Sequence, residues 1–270
     1  MAVTLHELSL FEVGVATALI LMNAVISLTL QLGLERRLFQ ASLRTIFQLA
    51  LIGLVLKWIF GARHWGAIVA LMLMMSMVAG VSAVRRTDRR YPGIWLTSLT
   101  AVLISSWFVL AIALTGVIPP SAWKENAAQY AIPLMGMILG NTLNGISLGL
   151  DRLGDELTTK RGEVEMRLSL GATRWEAAIP CLRTAIRTGM IPIINTMMVV
   201  GLVSLPGMMT GQILAGAEPM SAIRYQIVIM FLIASGTALG TTGAVLLGFQ
   251  FLFNSRHQFL FQRIRRVSKC

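Results

Sequence analysis

The sequence predicts an all-α membrane protein with about seven transmembrane helices, and three observations support this fold class. Hydrophobic residues occupy 56% of the 270 positions and charged residues only 13%, which is about half the charged share of a typical soluble domain. The apolar residues stand in long runs, each close to the roughly 20 residues that a helix needs to cross a bilayer. The basic residues cluster at the ends of these runs.

Seven apolar runs are interpreted as membrane spans. Their predicted bounds are about 10–32, 41–60, 65–84, 94–118, 127–150, 189–215 and 223–253. The second span is less uniform because Arg44 and Gln48 share one helical face, and the sixth is interrupted by Pro192 and by Pro206 with Gly207. The sixth and seventh runs exceed the length of one crossing, so tilt, a kink or a broken helix is expected there.

The distribution of basic residues predicts the orientation. With the N-terminus outside, the segments on the cytoplasmic side hold nineteen of the 23 Lys and Arg residues, and the outer segments hold the other four. Because cytoplasmic flanks of spans are enriched in Lys and Arg, we expect an N-out, C-in topology. Topology therefore explains the net charge of +11, and no nucleic-acid partner is expected.

The chain has no recognisable catalytic centre. It contains neither a Gly-x-x-x-x-Gly-Lys-[Ser/Thr] phosphate loop nor a His-Glu-x-x-His motif, which disfavours ATP hydrolysis by that route and zinc-dependent proteolysis. A retinal protein needs a Schiff-base lysine in its last span, and none lies between Tyr225 and Phe253. We expect a protein that is not an enzyme and binds no cofactor itself.

A few polar residues inside the predicted spans are candidates for a transport pathway. Such residues often line a pathway, although interhelical hydrogen bonding is at least as common a role. The sixteen methionines are better explained by flexible packing than by soft-metal binding, and metal ligands stay unknown. The candidate pathway residues in the spans are Asn141, Asn144, Asn195 and Ser204.

The long hydrophilic segment 151–187 differs from the other charged segments. It carries seven basic and six acidic residues, so its charges nearly cancel. We expect an amphipathic cytoplasmic helix, a tight bend at Gly171, where glycine allows backbone conformations closed to other residues, and a second short helix. Such a segment suits docking into a groove of another protein.

The same segment resembles the coupling loop of ABC-transporter permeases. In importers of that class the loop that docks on the ATPase carries Glu-Ala-Ala-x-x-x-Gly. Glu165 and Gly171 have that spacing, with Met166 and Arg167 in place of the two alanines. Further stretches resemble the FetB-type permeases, a bacterial family linked to iron export whose plant relatives are linked to aluminium tolerance. These stretches are 136–141, 168–173, 201–209 with Gly211, 222–227 and 254–258.

The resemblance implies that the chain is half of a transporter. Two copies would pair with two copies of a separate ATPase subunit, which would bind ATP and Mg. The segment around 165–180 would transmit nucleotide-driven closure to the spans. The residues assigned to this ATPase coupling are Glu165, Leu168, Ser169, Leu170, Gly171, Ala172 and Thr173.

The stretch 201–211 is the candidate gate. Broken helices occur where backbone lines a cavity or is buried in protein, and a Pro-Gly break is predicted near the outer face. A simple turn before a short outer loop is the alternative. The residues assigned to the gate are Pro206, Gly207, Met208 and Met209.

The leading hypothesis is a single transmembrane permease domain, 1–270, in a bacterial inner membrane. It would serve an ABC exporter of iron or another metal species, with lipid, the ATPase and a second copy as partners. A secondary carrier or channel and a seven-span receptor or sensor are the alternatives.

Overall fold

The computed structural model describes residues 10–62, 64–123 and 126–266, and most of them are helical. The elements follow in the order α1 (Leu10–Thr29), α2 (Glu35–Ala62), α3 (Trp65–Arg86), β1 (Arg89–Arg90), α4 (Ile94–Ile112) with a π-helical extension (Ala113–Val117), α5 (Pro120–Trp123), α6 (Ala127–Thr159), α7 (Arg161–Ser169), α8 (Arg174–Val199), α9 (Gly207–Leu214), α10 (Pro219–Leu252), a 3-10 turn (Phe261–Arg263) and β2 (Arg265–Arg266). The two strands have two residues each and pair with each other, so the predicted all-α class is confirmed.

Six helices in the described part of the chain are long and apolar enough to cross a membrane. They are α2, α3, α4 with its π-helical extension, α6, α8 and α10. The chain is therefore a multi-pass integral membrane protein, as predicted. Helix α1 occupies most of the first predicted span. The count of seven spans and the N-out, C-in orientation stay predictions.

The predicted bounds of the sixth span, 189–215, are wrong. Helix α8 begins at Arg174 and ends at Val199, residues 200–206 are not helical, and α9 is a separate short helix. The start was misplaced because the first half of α8 carries several arginines, which lower its hydropathy. Helices α2 and α10 also begin earlier than predicted.

The two prolines of α8 do not interrupt it. Pro180 and Pro192 both lie inside the helix, although each removes one backbone N–H and tends to kink a helix. The hydroxyl groups of Thr184 and Thr196 donate to the carbonyl oxygens of these prolines, at 3.0 and 2.9 Å. The expected interruption at Pro192 is therefore not found, whereas the break at Pro206 with Gly207 is.

The hydrophilic segment 151–187 is helical for most of its length. Helix α6 continues past its predicted end to Thr159, and the second helix after Gly171 is the long α8 rather than a short one. Leu153 and Leu157 remain fully buried near the end of α6. The end of α6 thus keeps a buried apolar face at helical spacing, although the average hydropathy of this segment is low.

Helix α6 lies at the centre of the bundle and packs against α3, α4, α8 and α10. Met135, Ile138, Ile146, Leu150 and Leu153 are fully buried along its length. Helices α1 and α2 pack against each other, and α2 touches the rest only slightly, so that its side chains are largely exposed. The bundle that positions the candidate sites consists of α3, α4, α6, α8 and α10.

The central helices cross at very short distance near their midpoints. A Cβ atom added to Gly189 of α8 would lie 2.6 Å from the carbonyl oxygen of Gly145 in α6 and 2.5 Å from Cγ2 of Thr241 in α10. A Cβ on Gly240 would meet Thr142 of α6 at 2.5 Å. Small residues allow such close approach of membrane helices. We call Gly145, Gly189, Gly240 and Thr241 the glycine crossing.

Candidate coupling surface and candidate gate

The two ends of the bundle carry the candidate functional regions. The charged end consists of residues 86–91, 151–176 and 254–266, where α3 and α6 end and α8 begins. The open end consists of residues 117–123, 126–130 and 199–228, where α6 and α10 begin and α8 ends. Helices α6, α8 and α10 connect the two ends through the glycine crossing.

At the charged end, α7 stops in a Schellman turn. The N–H of Ala172 donates to the Arg167 carbonyl oxygen at 3.0 Å, and the N–H of Gly171 donates to the Leu168 carbonyl oxygen at 3.1 Å. Gly171 has a φ of +90°, a left-handed conformation that glycine adopts without steric cost. The expected bend at Gly171 is confirmed.

Helix α8 begins directly after this turn with a capping box. The N–H of Glu176 donates to Oγ1 of Thr173 at 3.3 Å, and the N–H of Thr173 donates to Oε2 of Glu176 at 2.7 Å. Two backbone donors that a helix start would leave unpaired are satisfied in this way. The stretch 168–173 is thus a helix stop followed at once by a helix start, which fixes the angle between α7 and α8.

The C-terminal tail folds back onto the first turn of α8. The N–H of Arg174 donates to Nδ1 of His257 at 3.0 Å, and its guanidinium donates to the carbonyl oxygen of Asn254 at 3.3 Å. The side-chain oxygen of Asn254 accepts the N–H groups of Arg256 and Gln258, at 3.1 and 2.9 Å. These hydrogen bonds hold residues 254–258 against the start of α8, and we call this loop the tail clamp.

Aromatic rings and a short ladder hold the tail in place. Phe253 stacks on Phe259 with ring centroids 5.1 Å apart, and Trp175 of α8 meets Phe249 edge to face at 5.7 Å. Strand β2 of the tail pairs antiparallel with β1, which follows α3. The tail therefore ties α3, α8 and α10 together at the charged end.

Ion pairs lie along the end of α6, and one of them joins α6 to β1. The Glu156 carboxylate is only 5% exposed and lies 2.5 Å from a guanidinium nitrogen of Arg152 and 2.7 Å from Nζ of Lys160. The hydrogen bond and charge of Glu156 raise the pKa of Lys160 above its usual value. Arg89 of β1 reaches Asp155 at 2.8 Å.

Large apolar side chains project from this charged surface. Leu170 is 80% exposed, Met166 of α7 is 56% exposed and Trp175 of α8 is 46% exposed. Apolar groups that project together from an otherwise charged surface mark interaction sites. We call these three residues the docking knob.

The predicted coupling residues all lie in this helix–turn–helix. Glu165 accepts a hydrogen bond from Nε of Arg161 at 2.7 Å, and its carbonyl oxygen accepts the hydroxyl of Ser169 at 2.9 Å. Leu168 packs against the core, while Leu170 points away from it. The structure brings the seven residues together, and their role in coupling stays a prediction.

At the open end, the chain leaves the helical path after Val199. The N–H of Gly201 donates to the Ser204 carbonyl oxygen at 2.9 Å, and Gly201 has a φ of +85°. The tip of this tight turn is apolar: Leu202 is 89% exposed and Val203 is 83% exposed. The helix break predicted around residue 206 therefore exists, as a compact turn before α9.

Helix α9 lies between two cavities. The first, the open-end cavity, has a volume of about 470 Å³ and is lined by Met208 and by the first turns of α6 and α10. The second, the side groove, has a volume of about 450 Å³ and is lined by Met209, Met230 and Gln226. The stretches 201–209 and 222–227, distant in sequence, thus meet around α9.

Gln226 gives the side groove an unusual polar atom. The side chain is 7% exposed, and its Oε1 atom has no hydrogen-bond partner among the described residues. A buried acceptor without a donor costs about 1–3 kcal/mol. The open end therefore holds a buried acceptor without a donor beside a cavity, and buried polar atoms without partners in the described part of the chain also occur at the charged end, on Arg90, Tyr91 and Arg152.

The four predicted pathway residues in the spans do not converge on one site. Asn141 donates to the Met137 carbonyl oxygen at 3.0 Å, and Asn144 accepts a hydrogen bond from Arg86 at 2.6 Å. Asn195 and Ser204 are exposed on α8 and in the turn. Interhelical bonding, the alternative role, applies to Asn144. The gate residues Pro206, Gly207, Met208 and Met209 do lie together at α9.

Cation ligands are scarce throughout the described ranges. No group of three or more His, Cys, Asp or Glu side chains could hold a metal ion there. Sequence reasoning did not predict the tail clamp, the buried Glu156 or the polar lining of the open-end cavity. The resemblance of stretch 254–258 to the FetB-type permeases marked this segment as notable. Its role became apparent only from its contact with α8 in the structure.

The chain is similar to a family of known membrane proteins. The model of the uncharacterised protein family UPF0014 matches residues 10–253. A UPF0014 membrane protein from Synechocystis sp. is 40% identical over 85% of this chain and 88% of its own length. The probable iron export permease protein FetB of Escherichia coli is 32% identical over 97% of this chain and 98% of its own length.

Plant proteins are also similar. The protein ALUMINUM SENSITIVE 3 of Arabidopsis thaliana is 30% identical over 90% of this chain and 87% of its own length. No solved structure matches the chain. The similarity to bacterial membrane proteins agrees with the predicted location in a bacterial inner membrane.

Proposed function

The chain belongs to the UPF0014 family of membrane permeases, and on that premise we propose that it is the membrane subunit of an ABC exporter. A separate ATPase subunit would bind ATP and Mg and dock on the charged end of each of two copies. The docking knob carries this proposal, because Met166, Leu170 and Trp175 are exposed on and beside the hydrogen-bonded turn between α7 and α8. Exposure of these apolar side chains to water is unfavourable unless a partner protein covers them.

The orientation follows from the same proposal. The charged end would face the cytoplasm, where ATP is available, and the open end would face the other side of the membrane. The arginine-rich segments of the charged end favour this placement, because Lys and Arg are retained on the cytoplasmic side. The nearly equal numbers of acidic and basic residues in segment 151–187 support a role in docking, in addition to a role in setting the orientation in the membrane.

Movement would reach the open end through α8. The Schellman turn, the capping box and the tail clamp tie the docking knob to the first turn of α8, so a shift of the knob moves that helix as a unit. At the glycine crossing the backbone of α8 approaches the backbone of α6 and the Thr241 side chain of α10, which suits a pivot. The far end of α8 leads into the turn and α9, the elements that would open and close the pathway.

The cargo would be iron or another metal species. The printed name of the Escherichia coli relative describes a probable iron export permease, and this supports the same cargo class here. Within the described ranges, the scarcity of carboxylate, imidazole and thiolate clusters disfavours a bare cation held by protein ligands, because such ions prefer those donors.

The test is a Leu170→Asp variant reconstituted in nanodiscs with the ATPase subunit of its transporter. A buried carboxylate at an apolar contact is costly, so we expect at least tenfold weaker binding of the ATPase and no coupled ATP hydrolysis. Gln262→Asp, at an exposed polar position of the same end, is the matched control and should behave as wild type. Normal coupling in Leu170→Asp, or proton-driven transport by the purified chain alone, would overturn the proposal.

A further inference from the structure

The open-end cavity has a polar mouth and an apolar floor. Gln129 and Tyr130 lie in the first turn of α6, and Arg224 and Tyr225 lie near the start of α10; all four line the cavity. Leu232, two turns further along α10, lines it as well. Eight residues of helix separate Arg224 from Leu232, which corresponds to a depth of about 12 Å.

The polar lining consists of hydrogen-bond donors with one positive charge. Arg224 supplies a guanidinium, Tyr130 and Tyr225 supply phenol groups, and Gln129 and Gln212 supply amides. None of the lining residues among those that the structure describes is acidic. A cation would meet the Arg224 charge without a carboxylate to offset it, so the lining selects against bare metal ions.

Arg224 has no counter-ion in the part of the chain that the structure describes. The ion pairs found there lie at the charged end, and none includes Arg224. A guanidinium presents its N–H groups in a planar fork that fits the two oxygens of a carboxylate or phosphate. Arg224 is exposed at the mouth of the cavity, where an anion that enters the cavity can reach its guanidinium.

We infer that the open-end cavity binds an oxyanion, a carboxylate or phosphate group, through Arg224 with help from the two tyrosines. The volume of about 470 Å³ lies in the usual range of small-molecule sites, about 300–1,000 Å³. If the proposed function holds, metal cargo leaves this end as an anionic chelate whose own oxygens hold the metal. That last step rests on the proposed function, whereas the binding site does not.

Direct binding to the purified permease in phosphatidylcholine nanodiscs tests the site without any ATPase. Citrate, ferric citrate, inorganic phosphate and Fe²⁺ alone are titrated by calorimetry. We expect the oxyanions to bind, Fe²⁺ alone not to bind, and Arg224→Gln to weaken oxyanion binding at least tenfold, because a charge-assisted hydrogen bond is lost. Arg224→Lys should retain part of the affinity and Tyr130→Phe should lose a few-fold.

Arg256→Gln is the matched control, because it removes an exposed arginine at the charged end and should leave binding unchanged. Phosphatidylglycerol that co-purifies with wild type and is lost from Arg224→Gln would identify a lipid headgroup as the source of the oxyanion. Binding of Fe²⁺ alone, absence of any oxyanion binding, or equal oxyanion affinity in wild type and Arg224→Gln would overturn the inference. Each outcome leaves the ATPase-coupling experiment to be judged separately.

Discussion

The charged end and the open end of the bundle use the same helices but are held together differently. At the charged end, α8 begins under a capping box and a tail clamp, and α6 ends in ion pairs that include the buried Glu156. At the open end, α8 stops in a turn with an exposed apolar tip, and two cavities flank α9. One end is cross-linked by polar contacts, and the other has free volume on both sides of α9.

The difference suggests a division of labour along α8. An end held by many contacts moves as one unit when a partner displaces it. An end with cavities can change its packing at a low cost in free energy. The glycine crossing between them is close-packed, so it resists compression and allows rotation about a contact point. Changes in the crossing should therefore cost more than changes at either end.

Gly189→Ala should have the largest effect on stability. The added Cβ would stand 2.6 Å from a backbone oxygen of Gly145 and 2.5 Å from Thr241, and backbone cannot move aside cheaply. We expect a loss of about 2–3 kcal/mol in the free energy of unfolding, measured by thermal denaturation in detergent. Gly243→Ala, where nothing lies within 4 Å of the added Cβ, is the control and should be neutral or slightly stabilising. Equal melting of the two variants would mean that the crossing is looser than described.

Glu156→Gln should have the second largest effect. The change leaves Arg152 and Lys160 without their shared carboxylate at a buried position. Because both cations are partly exposed, we expect a loss of about 1–2 kcal/mol, measured in the same assay. Glu163→Gln, which breaks only the exposed pair with Arg167, should lose less than about 0.5 kcal/mol. Similar losses in both variants would contradict the special role of Glu156.

Gly171→Ala and Gly201→Ala form a matched pair across the two ends, with the smallest effect on stability. Both glycines have a φ near +90° and no atoms within 4 Å of an added Cβ. Each change should cost about 1 kcal/mol of backbone strain. Their activities should separate, since Gly171→Ala alters the docking turn and weakens the ATPase complex, whereas Gly201→Ala leaves ATPase binding intact and slows transport. Identical losses of ATPase binding would remove the distinction between the ends.

The sequence predicted those features of the backbone that depend on single glycine or proline residues. Gly171 and the pair Pro206 with Gly207 mark a bend and a break because glycine and proline restrict or extend the backbone directly. The start of α8 was misplaced because its arginines lower the average hydropathy of a segment whose buried face is apolar. The pair Thr173 and Glu176 is nevertheless a sequence signal for a helix start.

Contacts between distant segments could not be predicted from the sequence. Arg174 and His257 are 83 positions apart, and no local pattern relates them. The open-end cavity likewise depends on how α6, α9 and α10 converge. From the sequence alone, Arg224 was therefore identified only as one of the few basic residues on the outer side. The pathway prediction for Asn144 did not anticipate its bond to Arg86, which requires the packing of α3 on α6.

Hydrogen exchange of the reconstituted complex tests the division between the ends most directly. Backbone amides in segments 166–176 and 199–216 are compared in the nucleotide-free state and in a state trapped with a non-hydrolysable ATP analogue. We expect segment 166–176 to be well protected in both states, and we expect nucleotide to change exchange in segment 199–216 severalfold. Unchanged exchange in 199–216, or a nucleotide-dependent loss of protection confined to 166–176, would contradict it.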